Sequence, residues 1–336
     1  MDTAAETDLV LAAQAGDEIA FETLAGRHRN ELVVHCYRML GSLHDAEDVV
    51  QNTLLRAWEK RASLANPAAY RAWLYRIATN LCLNVLARAP RRTLPISLHP
   101  ASQAATPLAP GQREPIWLEP FPDDLLADQH LGPEDHAFQR ERLTLAFLLA
   151  LQELTPQQRA VLLLREVLDW SAAEVAEWLN LSVAAVNSLL QRARRALRQH
   201  VADGDAPPPA SRAEELLKRY MALWEQADIP ALALLLREDA WFSMPPVPTW
   251  FQGRQTVGTV LATRIFSPGR EMRLIAASAN GSPAFGLYQR AAGAGDYRFV
   301  GLFVLGLAGQ EVAHLVAFLD PASLSPRFAL PPTLPA

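Results

Sequence analysis

Apolar residues recur at spacings of three and four through residues 171–199, in two runs separated by a short polar break. The apolar positions are Val175 and Trp178 in the first run, and Val183, Val186, Leu189, Leu190, Ala193 and Leu197 in the second. Ser171 can cap the first run, with Glu174 completing a capping box, and Ser182 can cap the second. The pattern predicts two short helices that meet at a tight corner.

The second of these helices carries charge of one sign. No acidic residue occurs from Trp178 to His200. The arginines near its end are Arg192, Arg194, Arg195 and Arg198. Such a helix suits a helix-turn-helix, whose second helix enters the major groove of DNA while arginines neutralise phosphates. A basic, solvated helix in an ordinary bundle is the alternative that charge by itself leaves open.

The helical period also fills residues 5–92, where Asp17 can cap an early helix. Along residues 45–58 the apolar and polar positions separate onto two faces. The apolar face holds Val50, Leu54 and Trp58, and the polar face holds Asp45, Asp48 and Asn52. Acidic residues in the first turn also suit the helix dipole. We expect one amphipathic helix with an acidic, hydrogen-bonding outer face.

Residues 70–88 continue the helical period and interleave aromatic rings, arginines and asparagines. Rings can stack on bases, guanidinium groups can contact phosphates, and amides can read base edges, so this composition suits a surface that binds single-stranded nucleic acid. An amphipathic helix that buries its aromatic residues in a core is the alternative.

Regular structure is not expected between Pro90 and His136, because proline, alanine, serine and acidic residues dominate there. Residues 114–135 contain no Lys or Arg and hold the acidic residues Glu114, Glu119, Asp123, Asp124, Asp128, Glu134 and Asp135. Helix resumes near residue 141, and Thr155 with Gln158 forms another capping box. A second proline-rich break follows the helix-turn-helix. The predicted segments are a helical domain at 5–92, an acidic linker at 93–137, a helix-turn-helix domain at 138–201 and a linker at 202–211.

The sequence pattern changes over residues 212–330, where two predicted helices precede a series of strand-like runs. The predicted strands are 240–244, 271–279, 284–290, 297–307 and 311–319, with a helix at 253–265 between the first two. Helices followed by a run of strands that we expect to be antiparallel indicate an α+β domain.

Composition adds limits rather than a function. The net charge of −5 over 336 residues hides local basic segments behind the acidic linker. The two cysteines, Cys36 and Cys82, lie in helical patterns and predict a reducing cytoplasm rather than a disulfide framework. The longest apolar run, 299–308, is about half of the ~20 residues that a membrane span needs, so we expect a soluble, cytoplasmic protein with no membrane partner. The spacing of His28, His35, Cys36 and His44 matches no common zinc pattern, and no metal or cofactor is expected.

Three segments in this order resemble the extracytoplasmic-function group of the sigma-70 family of RNA polymerase sigma factors. They are DAEDVVQNTLLRAW at 45–58, AWLYRIATNLCLNVLAR at 72–88 and LTPQQRAVLLLREVLDWSAAEVAEWLNLSVAAVNSLLQRARRAL at 154–197. The resemblance implies, in turn, docking on the clamp helices of the polymerase β′ subunit, melting and reading of the −10 element, and binding of the −35 element. The β subunit and promoter DNA complete the implied partners.

The resemblance also assigns residues to each role. Core-polymerase binding falls to Asp45, Glu47, Asp48 and Gln51. Binding of −10 DNA falls to Trp73, Arg76, Asn80, Asn84 and Arg88, with Arg91 and Arg92 on the backbone. Binding of −35 DNA falls to Ser182, Ala184, Asn187, Ser188, Gln191, Arg192 and Arg195. The acidic linker either imitates the charge of template strand or nascent RNA, or serves only as a soluble tether.

Residues 212–330 resemble the SnoaL-like cone fold that some of these sigma factors carry, most clearly in PPVPTWFQGRQTVGTVLATRIF at 245–266. A regulatory module acting in cis, through a small ligand or an intramolecular contact, is the expected role. The alternatives are an isomerase or hydrolase using Asp239, Tyr288 or His314 as acid-base groups, and a stand-alone helix-turn-helix regulator.

The sequence therefore predicts a multidomain protein: two all-α helical domains, the second a helix-turn-helix, followed by an α+β cone-shaped SnoaL-like domain. The expected function is that of an alternative sigma factor, which binds core polymerase, directs promoter-specific initiation and performs no covalent chemistry of its own. The docking face at 45–58 favours this function over both alternatives, because neither an enzyme nor a stand-alone regulator needs it.

Overall fold

A computed structural model describes residues 3–88, 91–112, 117–126, 143–200, 208–293 and 295–336. Most of the predicted linker at 202–211, and Glu114, Asp128, Glu134 and Asp135 of the acidic segment, lie outside these residues. The chain forms two compact units: a helical unit of residues 1–92 and 150–200, and a sheet unit of residues 93–149 and 201–336. These boundaries cut across the predicted segments, since the acidic linker belongs to the sheet unit.

The first part of the helical unit contains four helices. They are α1 (Thr3–Gln14), α2 (Glu18–Leu40), α3 (Leu43–Glu59) and α4 (Tyr70–Leu86). Asp17 caps α2 through its side chain, as predicted, and Gly41 ends that helix at φ 71°, a left-handed conformation that glycine adopts without strain. Fully buried residues of α2, α3 and α4, such as Leu32, Val50 and Leu74, form the shared core.

The second part of the helical unit contains the predicted helix-turn-helix. Its helices are α5 (Leu145–Glu153), whose residues 145–149 belong to the sheet unit, α6 (Pro156–Leu162), α7 (Ala172–Leu179) and α8 (Val183–His200). A π-helical turn, Leu163–Val167, extends α6. The capping boxes at Thr155 and Ser171 are both confirmed. The corner between α7 and α8 is Asn180, at φ 53°. Asparagine tolerates this left-handed backbone better than most residues, which explains the tight turn.

The two helical parts touch within this unit. Arg159 of α6 is 1% exposed, and its guanidinium donates to the carbonyl oxygen of Met39 near the end of α2. The ring of Tyr75 on α4 meets the ring of Trp170 at 5.6 Å, edge to face. Burial lowers the pKa of Arg159 to about 10. Regions predicted as separate domains thus share one interface.

The sheet unit is built on a mixed sheet of order β2-β1-β6-β5-β4-β3, with β7 beside β5. Its strands are β1 (Leu236–Met244), β2 (Val247–Gln252), β3 (Arg270–Ala279), β4 (Ser282–Ala291), β5 (Tyr297–Ala308), β6 (Glu311–Phe318) and β7 (Thr333–Leu334). The expectation of antiparallel pairing was wrong for one pair, because β1 lies parallel to β6. The pattern also missed β2, whose Pro248 and short length hide the alternation.

Different elements pack on the two faces of the sheet. On the helix side lie α9 (Ala210–Glu225), α10 (Ile229–Leu234) and α11 (Arg254–Val260), the last extended by a π-helical turn, Leu261–Ile265. Aromatic residues fill that side: Tyr220, Trp224, Phe242, Phe251, Phe285 and Phe303. A short helix, α12 (Pro321–Arg327), follows the last long strand and packs its Leu324 on the opposite side.

The opposite side of the sheet is covered by the predicted linker and the residues that follow it. We call this segment the strap: the described parts of residues 93–149 within the sheet unit. Leu94, Leu118 and Leu145 of the strap are at most 2% exposed and pack with Tyr288 and Val304 of the sheet. The strap also runs along the free edge of β2, where the Ser102 amide donates to the carbonyl oxygen of Trp250 at 2.8 Å. It is therefore an integral layer of the sheet unit.

Gly306 allows a close approach on the strap side. The His314 ring stacks on the Trp241 ring at 4.6 Å and lies directly over Gly306, where an added Cβ would come within 1.8 Å of the ring. We expect Gly306→Ala to lower the free energy of unfolding by about 1–3 kcal/mol, because the ring must leave its stack. Chemical denaturation measures the change. Gly295→Ala, in the same unit but with open space around the new methyl group, is the control, and equal effects of the two changes would contradict this explanation.

Candidate polymerase and nucleic-acid interfaces

Helix α3 has one buried and one exposed face, as its pattern predicted. Ser42 caps it by accepting a hydrogen bond from the Asp45 amide at 3.0 Å, and Val50 and Leu54 point into the core. Three of the four residues assigned to core binding, Glu47, Asp48 and Gln51, lie exposed on the other face. This face can present carboxylate and amide groups to a basic partner.

The fourth assigned residue, Asp45, is engaged within the chain. Its carboxylate accepts from the Arg92 guanidinium at 2.7 Å, and the Arg92 side chain is 14% exposed. Arg91 lies 3.8 Å from Glu153 in a second, more exposed ion pair. Asp45 is therefore not part of the exposed acidic face, and Arg92 is not among the exposed arginines that could contact a DNA backbone.

An apolar side chain lies inside the polar face of α3. Leu55 is 56% exposed and is flanked by exposed Asn52 and Arg56. The sequence prediction gave Leu55 no role. The helical period could have identified it, because Val50 and Leu54 point into the core and the residue after Leu54 is rotated by about 100° around the helix axis. An exposed leucine in a polar surface adds an apolar anchor for a partner helix.

Helix α4 carries the residues assigned to −10 DNA on one ridge. Arg76, Asn80, Asn84 and Arg88 are exposed at successive turns, and the half-buried Trp73 begins the series. The opposite face is buried through Leu74, Ala78 and Cys82, among others. The composition of 70–88 had left a core role for the aromatics open, and the structure divides them: Tyr70 and Tyr75 are buried, whereas Trp73 remains accessible.

A half-buried polar network joins α4 to α2. Glu31 of α2 accepts from the Arg71 guanidinium, at 2.9 Å from Nε, and from the Tyr75 hydroxyl at 3.2 Å. Burial raises the pKa of Glu31, but hydrogen bonds from His28 and Arg71 outweigh it and the net pKa is lowered, so the carboxylate stays ionised. The network holds the ridge in one rotational setting.

The helix-turn-helix presents all the residues assigned to −35 DNA to solvent. Ser182 caps α8 by accepting from the Ala185 amide at 3.1 Å, which confirms the second predicted cap. Val186, Leu190 and Ala193 are buried beneath it. The exposed set is Ser182, Ala184, Asn187, Ser188, Gln191, Arg192 and Arg195. One helix face therefore offers small, amide and guanidinium groups together.

The arginines of α8 are not equivalent. Arg194 forms an ion pair with Glu166, in which its Nε lies 3.1 Å from the carboxylate. The Arg192 side chain donates to the carbonyl oxygen of Ser188 at 3.3 Å and stays exposed, as do Arg195 and Arg198. The exposed positive charge of this helix therefore remains available at Arg192, Arg195 and Arg198.

The histidines and cysteines considered for zinc do not converge. His28 lies between Glu6 and Glu31, at 3.1 and 2.5 Å, whereas His35 bonds Thr79 at 2.9 Å. Burial lowers the pKa of His35 to about 3, so its ring is neutral at physiological pH. The described residues contain no group of three or more His, Cys, Asp and Glu side chains arranged to hold a metal ion.

The groups considered for acid-base catalysis in the sheet unit also lie apart. Asp239 is exposed and paired with Arg237, whereas the buried Tyr288 donates its hydroxyl to the carbonyl oxygen of Pro331 at 2.8 Å. His314 stacks on Trp241, away from the aromatic core on the helix side of the sheet. No shared site brings these three residues together.

Two other polar groups do share the aromatic core. The Tyr220 hydroxyl and the Trp224 indole N–H are buried, and neither has a hydrogen-bond partner among the described residues. Both side chains belong to α9, one turn apart, with their rings 5.8 Å from each other. Burial raises the pKa of Tyr220, so the hydroxyl remains a donor. The sequence pattern did not predict this pair. The two donors are unusual only because α9 is packed in the core, where polar groups normally have hydrogen-bond partners.

None of the helices in the described part of the chain has both the length and the sustained hydropathy that crossing a bilayer requires.

Comparisons with known proteins bear on both units. Residues 24–92 match the family model for sigma-70 region 2, and residues 144–197 match that for sigma-70 region 4. The ECF RNA polymerase sigma factor SigG of Mycobacterium tuberculosis strain H37Rv is 46% identical over 337 residues, covering 97% of this chain and 89% of SigG. SigW of Bacillus subtilis is 31% identical over 188 residues, 56% of this chain and 92% of SigW.

The crystal structure of the Mycobacterium tuberculosis sigma factor SigJ has the same overall fold. It aligns with a TM-score of 0.59 at 22% identity and covers 92% of this chain and 99% of SigJ. The predicted fold class, helical regions followed by an α+β sheet domain, is thereby confirmed. From the length and identity of the match to SigG, and from the two matched sigma regions, we conclude that the chain belongs to the extracytoplasmic-function family of sigma-70 RNA polymerase sigma factors.

Proposed function

We propose that this sigma factor docks on core polymerase through the exposed face of α3, reads the −10 element with the ridge of α4 and binds the −35 element with α8. The single observation that carries the assignment is the exposure of all three surfaces on one helical unit, each with side chains suited to its partner. The chain would act where the polymerase is, in the cytoplasm.

For core binding, the proposed surface consists of Glu47, Asp48, Gln51 and Leu55. An acidic face with one apolar anchor suits a basic coiled coil, because charge steers the encounter while apolar burial holds the complex. Asp45 has the different role of fixing Arg92 against the start of α3.

The sheet unit is proposed to control the helical unit in cis, without covalent chemistry. The scattered positions of Asp239, Tyr288 and His314 support this over an isomerase or hydrolase using those groups. The exposed acidic face of α3 supports a polymerase-bound factor over a stand-alone helix-turn-helix regulator.

A small ligand is a second proposal, favoured by the unpartnered donors of Tyr220 and Trp224. Buried donors without partners are rare and costly in native proteins. A mostly apolar molecule with an oxygen acceptor would satisfy both within the aromatic core, and its binding would couple ligand to the sheet unit.

The core-binding surface can be tested by reversing one charge. We expect Asp48→Arg to weaken binding to purified core polymerase by about tenfold or more, since the basic partner would then meet a like charge. Biolayer interferometry with the full-length chain gives the dissociation constant. Glu22→Arg, an exposed acidic position on α2, is the matched control. An equal loss in both variants would mean that net charge, rather than this face, determines binding.

The DNA face of α8 can be tested by the salt dependence of binding. We expect Arg192→Ala and Arg195→Ala each to reduce the slope of log affinity against log salt by about 0.9, the value for one lost phosphate contact on duplex DNA. Fluorescence anisotropy with a labelled duplex measures the slope. Arg194→Ala serves as the control, because its partner Glu166 already neutralises it in part. Unchanged slopes would remove Arg192 and Arg195 from the phosphate contacts.

The unpartnered hydroxyl of Tyr220 predicts an unusual stability result. We expect Tyr220→Phe to leave the free energy of unfolding unchanged within about 0.5 kcal/mol or to raise it, because no hydrogen bond is lost. Tyr288→Phe is equally buried but loses its bond to Pro331, and should cost about 0.5–1.5 kcal/mol. Urea denaturation of both variants makes the comparison. Equal costs would show that the Tyr220 hydroxyl has a partner, and would count against the ligand.

A further inference from the structure

The turn between β3 and β4 contacts the strap through its backbone and through the buried side chain of Asn280. Asn280 is 0% exposed and adopts φ 56°, a left-handed conformation. Asparagine is among the few residues that accept this backbone and can also donate and accept with one side chain. The backbone groups packed around Asn280 therefore determine which hydrogen bonds its side chain makes.

Asn280 makes three hydrogen bonds to the strap. Its backbone amide donates to the carbonyl oxygen of Phe121 at 2.9 Å, its Oδ1 accepts from the Phe121 amide at 3.0 Å, and its Nδ2 donates to the carbonyl oxygen of Leu143 at 3.0 Å. The neighbouring Gly281 amide donates to the Asp123 carboxylate at 2.8 Å. One turn thus holds two strap segments that are 22 positions apart in sequence, from Phe121 to Leu143.

The two ends of the strap are held close together on the same sheet. Leu94, just after the region 2 helices, and Leu145, which opens α5, belong to one apolar cluster. Near the first end, the Leu118 amide also donates to the carbonyl oxygen of Thr93 at 2.9 Å. Docked residues therefore adjoin both helical regions along the chain: Leu94 follows region 2, which ends at residue 92, and Leu145 lies at the start of region 4, which begins at residue 144.

Promoter engagement requires the opposite arrangement. Elements at −10 and −35 are centred about 25 base pairs apart, which corresponds to roughly 80 Å along duplex DNA. In the helical unit the two regions are in direct contact through Arg159 and through Tyr75 with Trp170. A released segment of residues 93–149 could span on the order of 150–200 Å, so only the docked state restricts the distance.

We propose that the Asn280 turn is a clasp that keeps the strap docked, and that the strap must leave the clasp before regions 2 and 4 can engage both promoter elements. The inference rests on the proposed function and specifies how the sheet unit acts in cis: it limits the separation of the two DNA-binding regions. The occupant of the clasp is the chain's own segment around Phe121, and its release is the regulated step.

The clasp is tested with Asn280→Gly in the full-length chain. Glycine keeps the left-handed turn and the backbone bond to Phe121 but removes both side-chain bonds. Hydrogen–deuterium exchange should become about tenfold faster in peptides covering 117–126 and 143–149, as expected for the loss of two neutral hydrogen bonds, while β5 and β6 stay unchanged. Gln310→Ala, at the exposed tip of the β5–β6 hairpin, is the matched control.

A distance measurement tests the consequence. Glu22→Cys on α2 and Glu177→Cys on α7 introduce exposed labelling sites, whereas the native Cys36 and Cys82 are buried. Energy transfer between the labels should report separation of regions 2 and 4 when core polymerase and a mapped promoter are added. Asn280→Gly should reach half-maximal separation at a several-fold lower promoter concentration than the parent or the Gln310→Ala control.

Unchanged exchange in 117–126 would overturn the clasp. Faster exchange with an unchanged distance response would overturn the role of the strap in separation. Failure of the parent chain to bind core polymerase or promoter would refute the proposed function, and this inference with it. That failure can be told apart from failure of the clasp, because the exchange measurement needs neither polymerase nor promoter.

Discussion

The arrangement of the sheet unit depends on covering one apolar sheet face. Burial of Leu94, Leu118 and Leu145 against that face contributes about 1.5–3 kcal/mol for each side chain. The burial of these side chains and the hydrogen bonds at the β2 edge and at Asn280 together hold the strap on the sheet.

The contact between regions 2 and 4 inside the helical unit also combines burial with hydrogen bonds. Arg159 is buried without a carboxylate partner among its hydrogen bonds; it uses the carbonyl oxygen of Met39 and the Gln152 side chain, at 2.8 Å. Its Nε and the Nε2 of Gln152 have no partner among the described residues. Burying an unpaired charge and leaving donors unsatisfied are both costly. The unsatisfied donors therefore reduce the net stability of the interface between regions 2 and 4, while the directed hydrogen bonds make it specific.

The three surfaces proposed to bind polymerase and DNA share a common construction. Each is the exposed face of a helix whose other face is anchored in a core, and each is fixed by polar contacts beneath or beside it, such as Glu31 with Arg71 for α4 and Ser182 for α8. Binding can then use side chains already in place, which reduces the entropy lost on association. Ion pairs determine which charges remain available. Asp45 is held by Arg92 and Arg194 by Glu166, whereas Arg195, and Asp48 at 3.8 Å from His44, stay exposed on their helices.

The sequence by itself determined the helices, their caps and the faces of α3, α4 and α8, because a helical period and a capping box such as Ser171 with Glu174 are local properties. It could not determine that β1 pairs in parallel with β6, that Arg92 occupies Asp45, or that the acidic linker is a layer of the sheet unit. Those contacts join residues far apart in the chain, and their partners carry no local signal. Asn280 is the clearest case: its sequence predicts a turn, and only the tertiary structure brings Phe121 and Leu143 to it.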